Sequence, residues 1–189
     1  CPAFPANGRT IYQGYLFVGD QLLSDSPMKD HPLTPMRDSS LIRLMQAQSG
    51  NRVGLIAHRT VARGAAAIRE ALQKAREDEV RILVVDAITD DDLRAIGEAI
   101  DDLPLITGGS GIAIGLPGNF RKRGELSAEK TAEPLSPPEG RSVTLAGSCS
   151  KATRGQIETT IAAGTPAFRI DPLEIAGGTL TPAAVIEWA

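Results

Sequence analysis

The turn Thr107–Gly111, rich in glycine and hydroxyl side chains, is the segment best suited to hold a negatively charged ligand. It follows a predicted strand and opens a predicted helix, and its glycines let the backbone approach a ligand closely. Free N–H groups at a helix start favour an anion, and hydroxyl groups add donors. A turn that needs glycine for its geometry alone is the alternative. The candidate substrate-binding residues here are Thr107, Gly108, Gly109 and Ser110.

A dinucleotide-binding loop does not explain this turn. The stretch from Gly109 to Gly115 is one residue too long for G-x-G-x-x-G. No acidic residue ends a second strand about twenty residues further on, where such a site would need one. A dehydrogenase on a similar scaffold is therefore disfavoured.

A second turn of the same kind lies at Gly147–Ser150, again between a predicted strand and a predicted helix. Ser148 and Ser150 are candidate nucleotide-binding residues, because hydroxyls at a helix start can contact a phosphate; the alternative is that Ser150 only caps the helix. The spacing G-x-x-x-x-G-K-[ST] of a Walker A loop is absent. A nucleophile built from Cys149 and a histidine is disfavoured, because the chain has only 2 histidines. Lys151 is expected to be a solvated lysine.

Three other polar features each allow two interpretations. Arg9 could bind a carboxylate through paired hydrogen bonds, or it could be a surface arginine after a turn. His31 lies in a proline-constrained loop, where a structural hydrogen bond is commoner than a ligand contact. Asp90–Asp92 open a predicted helix, and consecutive helical residues point in different directions. We therefore expect these acids to cap the helix rather than to chelate a metal ion.

Alternating strands and helices must position these residues. The β-branched and aromatic segment Thr10–Phe17, a turn at Val18–Gln21 and a short return at Leu22-Leu23 predict a hairpin. Asp38 or Ser39 is expected to cap a helix that runs to about Gln48. Apolar runs then alternate with amphipathic stretches, which predicts a parallel sheet with right-handed crossovers. The predicted strands are Val53–Ala57, Arg81–Asp86 and Leu105–Thr107, and the predicted helices are Val61–Glu77, Asp90–Ile100 and one that begins near Gly111.

The segment Arg121–Arg141 interrupts this alternation and predicts a domain linker. Alternation resumes beyond it, and a last helix is predicted with Thr181 as N-cap and Pro182 at its first position. The fold class is therefore α/β, with two α/β domains of largely parallel sheets, both incomplete in this chain. The chain begins at Cys1 and stops early in the last helix, so we expect it to be a fragment. The remaining predicted elements are the strand Val143–Ala146, the helix Lys151–Ala163 and the strand Ala167–Ile170, and the predicted divisions are residues 1–120, the linker 121–141, and 142–189.

Composition excludes some classes of function. The net charge is −3 at pH 7, and the single basic cluster, Arg121-Lys122-Arg123, is expected to lie in a solvated loop. Nucleic-acid binding needs a clustered basic face, so it is disfavoured, as is a membrane-surface role. No apolar run reaches the length of about 18 residues that spans a membrane. The 2 cysteines are too few for a disulfide scaffold, which favours the cytoplasm.

Taken in order, the motifs resemble the four-carbon acid sugar kinase family, and the loop at residues 31–36 resembles most the members that act on 3-oxo-tetronates. The resemblance implies a two-domain enzyme in which an N-terminal domain holds the sugar acid and a C-terminal domain holds ATP. Mg²⁺ would bridge the phosphates while one moves to the terminal hydroxyl of the acid. The motifs are C-P-A-F-P at 1–5, G-R-T at 8–10, H-P-L-T-P-M at 31–36, T-G-G-S-G at 107–111 and G-S-C-S at 147–150.

The resemblance also implies roles for individual residues. Arg9 would face the carboxylate of the acid, and the Thr107–Gly111 turn would face the cleft between domains. Ser148 and Ser150 would lie where the nucleotide site begins. The implied partners are the sugar acid and ATP, with no nucleic acid and no membrane, and a homo-oligomer is compatible with the family.

Three motifs of the family do not occur in this chain: an N-terminal D-D-x-T-G, a following D-S-T, and a late G-G-E-T-S-G loop that grips ATP. The catalytic residues therefore stay unassigned, and we expect these 189 residues alone to phosphorylate nothing. A non-catalytic sugar-acid binding module, or a kinase of a related acid such as threonate or erythronate, is the alternative.

Overall fold

The computed structural model of the chain describes residues 1–31, 33–127, 135–137, 139–140, 142–148 and 150–189. The chain divides into two compact units, Cys1–Thr131 and Ala132–Ala189. This division falls inside the predicted linker 121–141. The assignment of functions to domains stays a prediction.

An antiparallel meander of three short strands opens the first unit. The strands are β1 (Arg9–Tyr12), β2 (Tyr15–Val18) and β3 (Gln21–Leu22), in the order β1-β2-β3. The predicted hairpin is present, but the prediction of one strand over 10–17 is wrong, because a turn at Gln13-Gly14 divides it. Both turn residues have positive φ (53° and 75°), the geometry that a two-residue hairpin loop requires.

A parallel pair of strands follows, formed by β4 (Val53–Ile56) and β5 (Ile82–Val85), with Val53 opposite Ile82. Both were predicted, because a continuous apolar run suits a strand buried on both faces. The predicted helix over 61–77 is instead two helices, α2 (His58–Val61) and α3 (Ala65–Glu77). Gly64, with φ of 88°, separates them. Helix α4 (Asp90–Ala99) lies close to its predicted bounds.

Helix α1 (Leu41–Ala47) connects the meander to β4 and is capped by Ser40, whose side chain accepts from Arg43 N. The predicted caps, Asp38 and Ser39, have other partners. Ser39 Oγ accepts from Ser24 N at 2.8 Å. Asp38 accepts two hydrogen bonds from the Arg43 guanidinium, which hold the pKa of that carboxyl below its usual range.

One apolar core joins the meander, the parallel strands and helices α2 to α4. Helices α3 and α4 turn their apolar faces inward, as their spacing predicts. The buried residues of this core are Ala3, Ile11, Leu16, Leu23, Ile56, Val61, Ile68, Val84, Val85, Ala87, Leu93, Ile96, Ala99 and Ile112.

The segment after α4 departs from the prediction. Residues Leu105–Thr107 do not form a strand, and Leu105 is 84% exposed. Cys1 forms two main-chain hydrogen bonds here: its N-terminal amine donates to Thr107 O, and its carbonyl accepts from Gly109 N. Two bonds to one residue do not make the ladder of a β-sheet. In place of a long helix from Gly111 there is a 3₁₀ helix, Ser110–Gly115, and then α5 (Pro117–Lys122).

The basic run Arg121-Lys122-Arg123 ends α5 rather than lying in a solvated loop. Lys122 Nζ lies 3.0 Å from Glu98 Oε1, and Arg123 pairs with Asp101 and Glu125. The acidic end of α4 therefore neutralises part of this basic cluster.

Within the described part of Ala132–Ala189 the regular structure is helical: α6 (Lys151–Ala162), α7 (Pro172–Gly177) and α8 (Pro182–Trp188). Thr181 caps α8, as predicted. The predicted strands Val143–Ala146 and Ala167–Ile170 are wrong, because a strand needs a neighbour to pair with and the described residues of this unit supply none. The fold of the described residues is thus mixed α/β, with one antiparallel and one parallel sheet. No helix among the described residues is long and apolar enough to cross a membrane.

Candidate functional site

Polar side chains gather where β4 and β5 end, at Ile56 and Val85; we call this place the carboxyl edge. Open sheets with parallel strands bind ligands outside the carboxyl ends of those strands. His58 follows β4 after one residue, and Asp86 follows β5 directly. The two strands are paired in register, Ile56 opposite Val85, so both side chains belong to the same edge of the sheet.

Asp86 ties three pieces of backbone together at this edge. Its side chain is fully buried and accepts hydrogen bonds from Gln13 N (2.7 Å), Gly14 N (2.9 Å) and His58 N (2.9 Å). The first two donors belong to the turn between β1 and β2, and the third to the start of α2. Buried carboxylates persist in proteins when donors surround them in this way. Asp86 therefore fixes the meander and His58 relative to the parallel strands.

The His58 ring lies between Asp92 of α4 and Tyr12 of β1. His58 Nε2 is 3.4 Å from Asp92 Oδ2, and the ring centroids of His58 and Tyr12 are 6.0 Å apart. The His58 side chain is 22% exposed and that of Asp92 only 10%. Within the residues that the structure describes, His58 Nδ1 has no hydrogen-bond partner. The arrangement gives a held imidazole with one nitrogen free for a ligand.

Asp92 is held by the capping box of α4. Its carboxylate accepts from Ile88 N and Thr89 N, both at 2.9 Å, while Asp92 N donates to Thr89 Oγ1. Burial alone would raise the pKa of Asp92. The hydrogen bonds from Ile88 and Thr89, together with the nearby His58 ring, outweigh burial and lower that pKa below its ordinary value of 3.8.

This lowered pKa predicts an acid-sensitive contribution to stability. Because the folded-state pKa of Asp92 lies below the unfolded value, its carboxylate stabilises the fold above about pH 4, and the contribution disappears as pH falls through the folded pKa. Asp92→Asn is expected to cost on the order of 1 kcal/mol of unfolding free energy at pH 7. Urea unfolding at a series of pH values from 7 to 3 should show that the difference in unfolding free energy between wild type and Asp92→Asn shrinks below about pH 4.

The matched control for that series is Asp91→Asn, which removes an acid from the same helical turn. Asp91 is 90% exposed and pairs only with Arg94 among the described residues. A wild-type minus Asp92→Asn difference that stays constant down to pH 3 would contradict the assignment of the acid sensitivity to Asp92.

The glycines of the Thr107–Gly111 turn face the start of the chain. A Cβ on Gly108 would collide with the carbonyl oxygen of Cys1, and one on Gly111 would lie 2.9 Å from Phe4 Cα. Close approach of two backbones accounts for these glycines without a ligand. The helix that starts there is a six-residue 3₁₀ helix with no side-chain cap. A role of Thr107, Gly108, Gly109 and Ser110 in substrate binding stays a prediction.

Arg9 begins β1 and is exposed. Its backbone exchanges two hydrogen bonds with Phe4, so Arg9 and the Thr107–Gly111 turn both adjoin the segment Cys1–Phe4. Side chains alternate along a strand, which places Arg9 on the face of Ile11 and opposite to Tyr12. The structure therefore does not bring Arg9 to His58, and its predicted contact with a carboxylate stays a prediction.

Ser148 and Ser150 lie at the start of α6. Ser150 Oγ accepts from Thr153 N at 3.1 Å and donates to Thr153 Oγ1, and Ser148 Oγ accepts from Ser150 N. Ser150 therefore caps α6 and Ser148 bonds the main chain of the cap residue, while their contact with a nucleotide stays a prediction. Cys149 and the side chain of Lys151 lie outside the described part of the chain.

The remaining candidates behave as structural groups. His31 Nδ1 accepts from Leu33 N and Thr34 N, the structural alternative for this histidine. Of the acids that open α4, Asp92 closes the capping box and Asp91 pairs with Arg94, while Asp90 Oδ1 is buried without a partner among the described residues. Among the described residues, no group of three His, Cys, Asp or Glu side chains is placed to hold a metal ion.

Sequence reasoning missed His58 and Asp86. Both follow buried strands, and a polar residue immediately after such a strand is the available signal. The contact of His58 with Asp92 crosses 34 positions of sequence, which no local pattern reveals.

Comparison with known proteins places this mixed α/β chain in a family. Residues 1–116 match the model of the sugar-binding N-terminal domain. The chain belongs to this family. It is 52% identical over all 189 residues to the 3-oxo-tetronate kinase of Cupriavidus necator, and 54% identical over 178 residues to that of Burkholderia multivorans. The predicted resemblance to four-carbon acid sugar kinases is confirmed.

A solved structure from Salmonella typhimurium shares the fold, with a TM-score of 0.73 and 44% identity over 90% of this chain. The chain spans less than half the length of each of these three proteins. It covers 44% of the Cupriavidus relative, 41% of the Burkholderia relative and 39% of the Salmonella chain.

Proposed function

We propose that this chain provides the sugar-acid-binding part of an ATP-dependent kinase. The kinase phosphorylates a four-carbon sugar acid, converting 3-oxo-tetronate to 3-oxo-tetronate 4-phosphate. The observation that carries the proposal is the 52% identity to a 3-oxo-tetronate kinase along the whole chain. The match of residues 1–116 to a sugar-binding domain supports placing the acid in the first unit.

The proposal divides the work between two α/β domains. Residues 1–120 bind the acid, 121–141 link the domains, and 142–189 begin the domain that binds ATP. Such an enzyme would act in the cytoplasm and could form a homo-oligomer. Light scattering on the purified chain measures its oligomeric state directly.

The fit of the described residues to ATP and Mg²⁺ is poor. The hydroxyls of Ser148 and Ser150 already serve the cap of α6, and no described acidic cluster suits a divalent cation. We therefore assign no step of phosphoryl transfer to residues of this chain. Binding and orienting the acid are the functions that its described residues can supply.

Binding to the isolated chain tests the first part of the proposal. Erythronate or threonate is expected to raise the thermal midpoint in a saturable manner, because a ligand that binds only the folded state stabilises it by about 2.7 kcal/mol at 100 times its Kd. Three-carbon glycerate and six-carbon gluconate are the matched controls. Failure of every four-carbon acid to stabilise the chain would overturn the proposal.

Release of ADP tests the second part and separates the kinase from a non-catalytic sugar-acid binding module. The chain alone is expected to show no acid-dependent release of ADP in a coupled assay. A chimera in which this chain replaces the aligned segment of the Cupriavidus kinase is expected to release ADP when the acid is added. A chimera that binds the acid and Mg-ATP but turns nothing over would favour the binding module. The preferred acid in the chimera also decides between 3-oxo-tetronate and a related tetronate.

A further inference from the structure

The His58 imidazole is held at one nitrogen, and its other nitrogen has no partner among the described residues. Asp92 lies against Nε2, and Asp86 accepts from the His58 main chain, so both the ring and its backbone are fixed. Tyr12 packs beside the ring. Groups fixed in this way before a ligand arrives lose little entropy on binding. The Nδ1 atom, unpartnered among the described residues, is the polar atom that this arrangement leaves available.

The chemistry of the surroundings selects the kind of ligand group that Nδ1 would meet. A carboxylate at Nε2 favours the tautomer with the proton on Nε2, which leaves Nδ1 as an acceptor. The lone pair of Nδ1 and the Asp92 carboxylate at the other ring nitrogen both disfavour a substrate carboxylate at this place. They suit a group that donates a hydrogen bond, such as a hydroxyl.

We propose that His58 is a specificity-determining contact for the sugar acid, in which Nδ1 accepts a hydrogen bond from a substrate hydroxyl while Asp92 orients the ring. This inference rests on the proposed function. It assigns the hydroxyl-bearing part of the acid to the carboxyl edge. Asp92 is then a positioning residue, because it acts through His58.

Three variants of His58 separate the two ring nitrogens. His58→Leu removes both, His58→Asn keeps a polar atom near the place of Nδ1, and His58→Gln keeps one near the place of Nε2. All three retain the main-chain N–H from which Asp86 accepts. Calorimetry with erythronate or threonate is expected to show at least a tenfold loss of affinity for His58→Leu, a smaller loss for His58→Asn than for His58→Gln, and no change for His31→Gln.

Nuclear magnetic resonance of the wild-type chain supplies a measurement that needs no variant. The chain has only 2 histidines, so its ring ¹⁵N signals are few, and His31 is an internal control. Saturation with the acid is expected to shift His58 Nδ1 and leave His31 unchanged. In Asp92→Asn the tautomer balance of His58 is expected to change, which a merely structural role of Asp92 would not produce.

The outcomes distinguish this inference from the function on which it rests. A four-carbon acid that binds the wild type and His58→Leu equally, or that leaves the His58 signals unmoved, overturns the inference and leaves the kinase proposal standing. Absence of binding by every four-carbon acid overturns both.

Discussion

Replacing Asp86 with alanine is expected to lower the unfolding free energy of the chain by at least about 3 kcal/mol. The carboxylate is fully buried and accepts from Gln13 N, Gly14 N and His58 N. Its removal leaves these donors without partners and opens a cavity between the meander and the parallel strands. A domain stabilised by about 5–15 kcal/mol loses much of its margin by such a change. Urea unfolding followed by circular dichroism measures the loss.

Asp86→Asn and Asp102→Ala test the cause of that loss. An asparagine oxygen at the place of Oδ2 can still accept from Gln13 and His58, but its amide then points N–H groups at the N–H of Gly14. An intermediate loss is therefore expected for Asp86→Asn. Asp102 is exposed, and its replacement should stay within about 0.5 kcal/mol. Equal stabilities of Asp86→Ala and Asp102→Ala would refute the role of Asp86.

Replacing Asp86 with alanine should also affect the proposed binding of the acid. Asp86 holds the first residue of α2, so its loss frees the backbone that presents the His58 ring. If His58 contacts the acid, Asp86→Ala is expected to weaken binding even under conditions in which the variant is fully folded. On that proposal, both the stability of the chain and its affinity for the acid depend on the buried carboxylate of Asp86.

Elements with strong local patterns were predictable from the sequence. The continuous apolar runs of β4 and β5 and the amphipathic spacing of α3 and α4 fall close to their predicted places. Each of these patterns lies within one short stretch of sequence. Each element joins the core simply by turning its apolar side inward. Turns were less predictable, because Gln13 adopts positive φ without the usual glycine or asparagine.

Elements that depend on distant partners were not predictable. A strand at 105–107, 143–146 or 167–170 has the right composition, but hydrogen bonds from a neighbour decide whether it forms. The glycines at 108 and 111 pack against the backbone of Cys1–Phe4, more than 100 positions away, while ligand contact at this turn stays a prediction. Composition alone does not distinguish a ligand from a second segment of the chain.

The second large effect is expected at Gly97, in the last turn of α4. In an exposed helix, glycine to alanine stabilises by up to about 1 kcal/mol. Here a Cβ would collide with the carbonyl group of Gly115 and lie 2.6 Å from its Cα. Both are main-chain atoms of the 3₁₀ helix, which cannot rotate away as a side chain does. Gly97 O also accepts from Asn119 Nδ2 at 2.8 Å, which holds α5 against the same helix.

Gly97→Ala is therefore expected to destabilise the chain by about 2–3 kcal/mol, despite the better helix propensity of alanine. Gly118→Ala is the matched control: Gly118 lies in α5, no atom lies within 4 Å of its added Cβ, and its replacement should be neutral or stabilising. If the thermal midpoint falls in Gly97→Ala and does not fall in Gly118→Ala, backbone packing rather than helix propensity selects glycine at position 97. A stabilising Gly97→Ala would contradict the close packing of α4 on the 3₁₀ helix. If His58 contacts the acid as proposed, a shift of α4, which carries Asp92, should also weaken binding of the acid.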